Sequence, residues 1–146
     1  MVRLILLSSV LVGLAGCSDG NPRRYAVNGQ VLFPDGRPLT TGTVERETLD
    51  EEEPLTATGT VSENGTFELG TFDVDDGAVA GRHRVVVLGD AEIGTGTERP
   101  GLLPPPTLHP RYRDYKTSGL EFTIEPDDND IKIQVEYAPK PQRRRY

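Results

Sequence analysis

The sequence predicts an all-β protein, a single seven-stranded antiparallel β-sandwich, on three observations. Apolar and polar residues alternate over short runs, which is the period of a strand with one buried face. Turn signals interrupt those runs every 8 to 15 residues, as in a two-sheet sandwich. With 16 Gly and 12 Pro among 146 residues, no Trp and one Met, little of the chain could propagate a long helix.

Residues 25–138 are expected to form the domain. In its first strand Tyr25, Val27, Val31 and Phe33 alternate with Ala26, Asn28, Gln30 and Leu32. Pro34-Asp35-Gly36 ends it, because Pro fixes φ and Gly accepts positive φ. Gly42 to Thr48 reads as a weaker strand whose one clearly apolar residue is Val44. The adjacent carboxylates of Asp50, Glu51, Glu52 and Glu53 repel one another and stay in water, and Pro54 closes that loop.

Thr56 to Leu69 reads as a β-hairpin, with Ala57, Gly59 and Val61 on one arm, Phe67 and Leu69 on the other, and Ser62-Glu63-Asn64-Gly65 as the turn. Asp73, Asp75, Asp76 and Gly77 form the next turn. Arg82 to Leu88 points His83, Val85 and Val87 to one face and Val86 and Leu88 to the other, which places it centrally in its sheet. Gly89 to Arg113 is too rich in Pro for a helix or central strand, and a loop of that length is usually functional or mobile. Leu120, Phe122 and Ile124 mark another strand, Pro126 to Asp130 an acidic turn, and Ile131, Ile133, Val135 and Tyr137 complete a last hairpin.

The stretch ahead of the domain carries a different signal. Arg3 and the free amine precede an apolar run, Leu4 to Leu14, too short to span a bilayer and followed by the small residues Ala15 and Gly16. Residues 1–16 therefore read as a secretory signal. Leu14-Ala15-Gly16-Cys17 resembles the lipobox of bacterial lipoproteins. The resemblance implies that the Cys17 thiol carries diacylglycerol, that the signal is cut before it, and that the new amine is acylated. Two or three acyl chains make release from a membrane slow, since each buried methylene adds about 0.8 kcal/mol. Polar residues 17–24 would be the tether.

Composition narrows the function classes. Net charge is −7, and residues 17–139 alone carry −12, which argues against a nucleic-acid partner because phosphate binding needs a basic face. Lys140, Arg143, Arg144 and Arg145 give tail residues 139–146 a charge of +4. Cys17 is the only cysteine, so an intramolecular disulfide and a Cys-based metal site are both excluded.

The domain resembles the carboxypeptidase-regulatory-like domains of small bacterial lipoproteins, a transthyretin-like or prealbumin-like sandwich of Ig-like architecture. The matching residues are Val27-Asn28-Gly29-Gln30-Val31, Gly36-Arg37-Pro38-Leu39, Gly42-Thr43-Val44, Asn64-Gly65-Thr66-Phe67, Gly81 ahead of a valine strand, and Tyr112 to Leu120. The resemblance implies a seven-stranded fold and an accessory role, not an activity. Two places depart from it: Glu45-Arg46-Glu47 replaces the apolar residues usual there, which implies that the second strand is an exposed edge or partly lost, and His83 stands where an aromatic is common.

Candidate chemistry is sparse. His83 reads as a half-buried strand residue and His109 as a solvated one; no Gly-x-Ser-x-Gly elbow accompanies either, so a hydrolase is the weakest reading. Asp73, Asp75 and Asp76, with Asp127, Asp128 and Asp130, could supply oxygen ligands to Ca²⁺ if their turns met at one end of the sandwich. Tyr112 and Tyr115, interleaved with Arg111, Arg113 and Lys116, could stack on a sugar ring or hold an acidic partner, although pinning the returning loop onto the sandwich is the simpler role. The reading favoured is a lipid-anchored, non-enzymatic envelope lipoprotein without a cofactor. Its partners would be the bilayer and an unidentified envelope protein or polysaccharide, and its domain would face the periplasm or exterior. The alternative is a carbohydrate- or Ca²⁺-binding surface adhesin.

Overall fold

A computed structural model describes residues 20–89 and 108–139. The fold is all-β. The lipobox cysteine, most of the Pro-rich stretch and the basic tail lie outside the described residues. In chain order the strands are β1 Arg24–Tyr25, β2 Val27–Leu32, β3 Gly42–Thr48, β4 Thr56–Val61, β5 Thr66–Glu68, β6 Ala78–Val79, β7 Gly81–Leu88, β8 Leu120–Ile124 and β9 Asn129–Gln134. A 3-10 turn, Pro110–Arg113, and a one-turn helix, α1 Tyr115–Ser118, precede β8.

Alternation drives this assignment, and burial follows it. Val27, Val31, Val44, Ala57, Val61, Phe67, Val85, Val87, Ile124 and Ile133 point into one core from strands of both larger sheets. Those sheets run β5-β2-β9 and β4-β3-β7-β8, with β1-β6 as a separate two-stranded pair. Each fully buried Val or Ile side chain contributes about 1.5–3 kcal/mol, so this shared inner face is the main stabilising feature.

Three sequence expectations are corrected. The sheets are not purely antiparallel: β2 and β9 pair in parallel, from Val27 opposite Asn129 to Leu32 opposite Gln134. Leu120–Ile124 and Ile131–Tyr137 are accordingly not a hairpin, because β8 bonds β7 while the acidic turn carries the chain across to β2 in the other sheet. Alternation reports which face of a strand is buried, not which strand lies beside it.

The arms of the Asn64-Gly65 turn also splay. Backbone bonds join Ser62 to Thr66 and Thr58 to Gly70, but the ladder of β4 is with β3 and that of β5 with β2. The turn therefore makes a corner between sheets. Gly59 permits the close approach: a Cβ there would lie 2.2 Å from the Glu68 carbonyl oxygen.

The third correction concerns β3. It is neither an edge nor lost; it runs seven residues, bonded to β4 on one side and β7 on the other. Its charges divide by phase. Glu45 and Glu47 are half-buried on the outer face, while Arg46 shares the inner face with Val44 and Thr48 and is 1% exposed. By contrast β7 lies between β3 and β8, as its two apolar faces imply. Its outer side meets α1, where Ser118 Oγ donates to the Val85 carbonyl. Within Gly89–Arg113 the 3-10 turn is an addition to expectation; Pro110 at its first position needs no helical N–H partner.

Candidate functional site

Neighbouring strands place two polar side chains in the core. Arg46 projects inward from β3 between Ala57 on β4 and Val85 on β7, and the next inward pair along the ladder is Thr48 opposite His83. His83 is also 1% exposed, so it is fully rather than half-buried. Its Nε2 lies 3.0 Å from the Val79 carbonyl oxygen; a carbonyl only accepts, so Nε2 carries the hydrogen and Nδ1 is a bare acceptor in the neutral ring.

Among the described residues, nothing hydrogen-bonds to Nε, Nη1 or Nη2 of Arg46 or to Nδ1 of His83. Burial lowers the Arg46 pKa to about 10. Burial, with the Arg46 charge second, lowers that of His83 from 6.5 to about 4, so the imidazole is neutral at pH 7. The sequence reading noted Arg46 only as a departure from an apolar strand. Its phase with Val44 was the available signal, since a period of two carries that face inward to position 46.

The outer face of β3 holds a second polar cluster, and here every member is engaged. Tyr115 OH donates to Glu45 Oε1 at 2.9 Å, Arg84 pairs with Glu47, and the Arg84 guanidinium lies 5.1 Å from the Tyr115 ring centroid. Burial, then the Glu45 bond, raises the Tyr115 pKa. Tyr115 thus straps α1 to the sheet. Tyr112 is buried, and its hydroxyl accepts from the Glu136 backbone N–H at 3.2 Å and from Arg111 Nη2 at 3.0 Å. Neither ring is a free stacking platform; both hold the returning segment in place, Tyr115 against β3 and Tyr112 against the backbone of Glu136.

His109 is a cap rather than a merely solvated side chain: Nδ1 accepts from Arg111 N at 3.2 Å. The two histidines therefore do different structural jobs in different elements.

The aspartates divide in the same way. Asp76 pairs with Arg24 Nε at 2.8 Å and accepts from Thr71 N at 2.6 Å. Asp73 and Asp127 cap the backbone N–H groups of Val74 and Asp128. Asp75 and Asp130 line one open groove of about 720 Å³ along the outer face of β5-β2-β9, together with Glu68 and Lys132. Among the described residues no three His, Cys, Asp or Glu side chains gather where they could hold a metal ion. Phe72 and Val74, on the same loop, are the large apolar residues left exposed in the described part.

No family model matches the sequence, and no curated protein matches it. Among solved structures, a 9R-lipoxygenase from Cyanothece PCC8801 is similar at 17% identity and a TM-score of 0.42. The likeness covers 84% of this chain and 18% of that one.

Proposed function

We propose that the chain is a lipid-anchored envelope protein whose non-enzymatic domain, a seven-stranded sandwich of the carboxypeptidase-regulatory-like kind, serves as a structural or binding module. The observation that carries the reading is the run Leu4 to Leu14 followed by Ala15-Gly16-Cys17. The fold is compatible with it. The two larger sheets contain three and four strands around one core, and the first strand begins seven residues after Cys17. An extended tether of that length reaches about 23 Å, which holds the domain close to the surface that anchors Cys17.

In this reading the anchor is the lipid on Cys17; among the described residues no helix is long and apolar enough to cross a membrane. Mass spectrometry of the protein from its native membranes should show a diacylglyceryl thioether and an acylated amine on a chain beginning at Cys17. Cys17→Ser should leave an uncleaved, unlipidated precursor. A free Cys17 thiol, with protein released to the medium, would overturn the proposal.

A further inference from the structure

The three unpartnered guanidinium nitrogens of Arg46 and the bare Nδ1 of His83 lie in one buried region between the sheets. We propose that they form an internal binding site for one small oxyanion accompanied by one proton, the chemistry of hydrogen phosphate or bicarbonate.

A buried guanidinium with no counter-charge is among the most unfavourable groups a core can hold, and removing one partner of such a group is strongly destabilising. Its planar fork of N–H donors fits the oxygens of an oxyanion. The carboxylates nearest along β3 cannot serve, because Glu45 and Glu47 occupy the opposite face and are held by Tyr115 and Arg84. Among the described residues no group bonds the guanidinium, and the missing negative charge is assigned to a ligand.

His83 restricts which ligand. With Nε2–H committed to the Val79 carbonyl, Nδ1 either receives a hydrogen bond from a ligand hydroxyl or takes up a proton itself. The Arg46 charge beside it opposes a second buried cation, so Nδ1 stays an acceptor and the ligand must bring a hydroxyl, which chloride and nitrate lack. Among the described residues beside His83, Val79 of β6 offers its carbonyl, Phe122 of β8 lies opposite it, and Thr48 of β3 faces it across the ladder, none of them charged.

Access follows from position. Arg46 is two residues from the end of β3 and His83 two from the start of β7, where Gly81 and Arg82 are exposed. Val79, bonded to His83, belongs to the β1-β6 pair, which has only two residue pairs of ladder. So short a ladder opens locally far more readily than the main sheets.

The test is a thermal melt of the full chain, followed by circular dichroism at pH 7 and fixed ionic strength, with phosphate or bicarbonate replacing chloride. The expected result is a melting temperature that climbs by about 4–8 °C for each tenfold rise in oxyanion above its dissociation constant. Nitrate should give no rise, and Arg46→Met should abolish the response. Because that variant changes a core residue, the wild-type Arg46 Nε–H resonance should also shift saturably as phosphate is added. An equal response to nitrate, a response retained in Arg46→Met, or an unmoved Arg46 resonance would each overturn the proposal. An unmodified Cys17 would not affect it, so its failure is separate from that of the anchoring proposal.

Discussion

Replacing His83 by Gln should remove one component of the protein's acid sensitivity. The wild-type imidazole is buried and bonded to Val79, and its pKa falls from 6.5 to about 4. In the unfolded chain it titrates at the ordinary value, so between these limits the unfolded state binds a proton that the folded state refuses. The stabilising contribution is complete above pH 6.5, declines as pH falls, and is gone below pH 4. A lowering of proton affinity by about 300-fold corresponds to about 3 kcal/mol. Gln keeps an amide N–H for the Val79 carbonyl and does not titrate. Urea unfolding in phosphate-free buffer from pH 8 to pH 4 should therefore show the wild type losing about 3 kcal/mol more than His83→Gln, with every carboxylate contribution common to both. Equal losses would show that His83 is not held neutral by its surroundings and would refute the reasoning.

Further predictions rest on packing and single hydrogen bonds. A Cβ on Gly29 would lie 2.4 Å from Phe67 Cζ and 2.7 Å from the Ile131 carbonyl oxygen, so Gly29→Ala should destabilise by about 1–3 kcal/mol in urea melts. An unchanged midpoint would contradict that packing. Tyr115→Phe removes the bond to Glu45 and should lower stability by about 0.5–1.5 kcal/mol, read from the same melts and absent when Glu45 is already Ala. Tyr112→Phe leaves the Glu136 N–H without its acceptor and should lower stability by about 1–3 kcal/mol, with faster amide exchange at Glu136 as its specific readout.

Much of the fold was legible because alternation is local. The phases of Val27/Val31, Val85/Val87 and Ile131/Ile133, and the turns at Asp35-Gly36 and Asn64-Gly65, follow from side-chain period and backbone freedom alone. Strand partnership was not legible. The parallel pairing of β2 with β9 and the splaying of β4 from β5 depend on which sheet each strand joins, and no run of neighbouring residues encodes that choice.

The candidate site was hidden for a related reason. The charges of Glu45-Arg46-Glu47 suggested an exposed strand, whereas pairing on both sides of β3 fixed its register and turned one charge of the three inward, next to His83. The sequence by itself determined the β class and the turns. Only the tertiary structure decided that a cation lies buried with no hydrogen-bond partner among the described residues, because burial and missing hydrogen bonds arise from contacts between segments far apart in the chain.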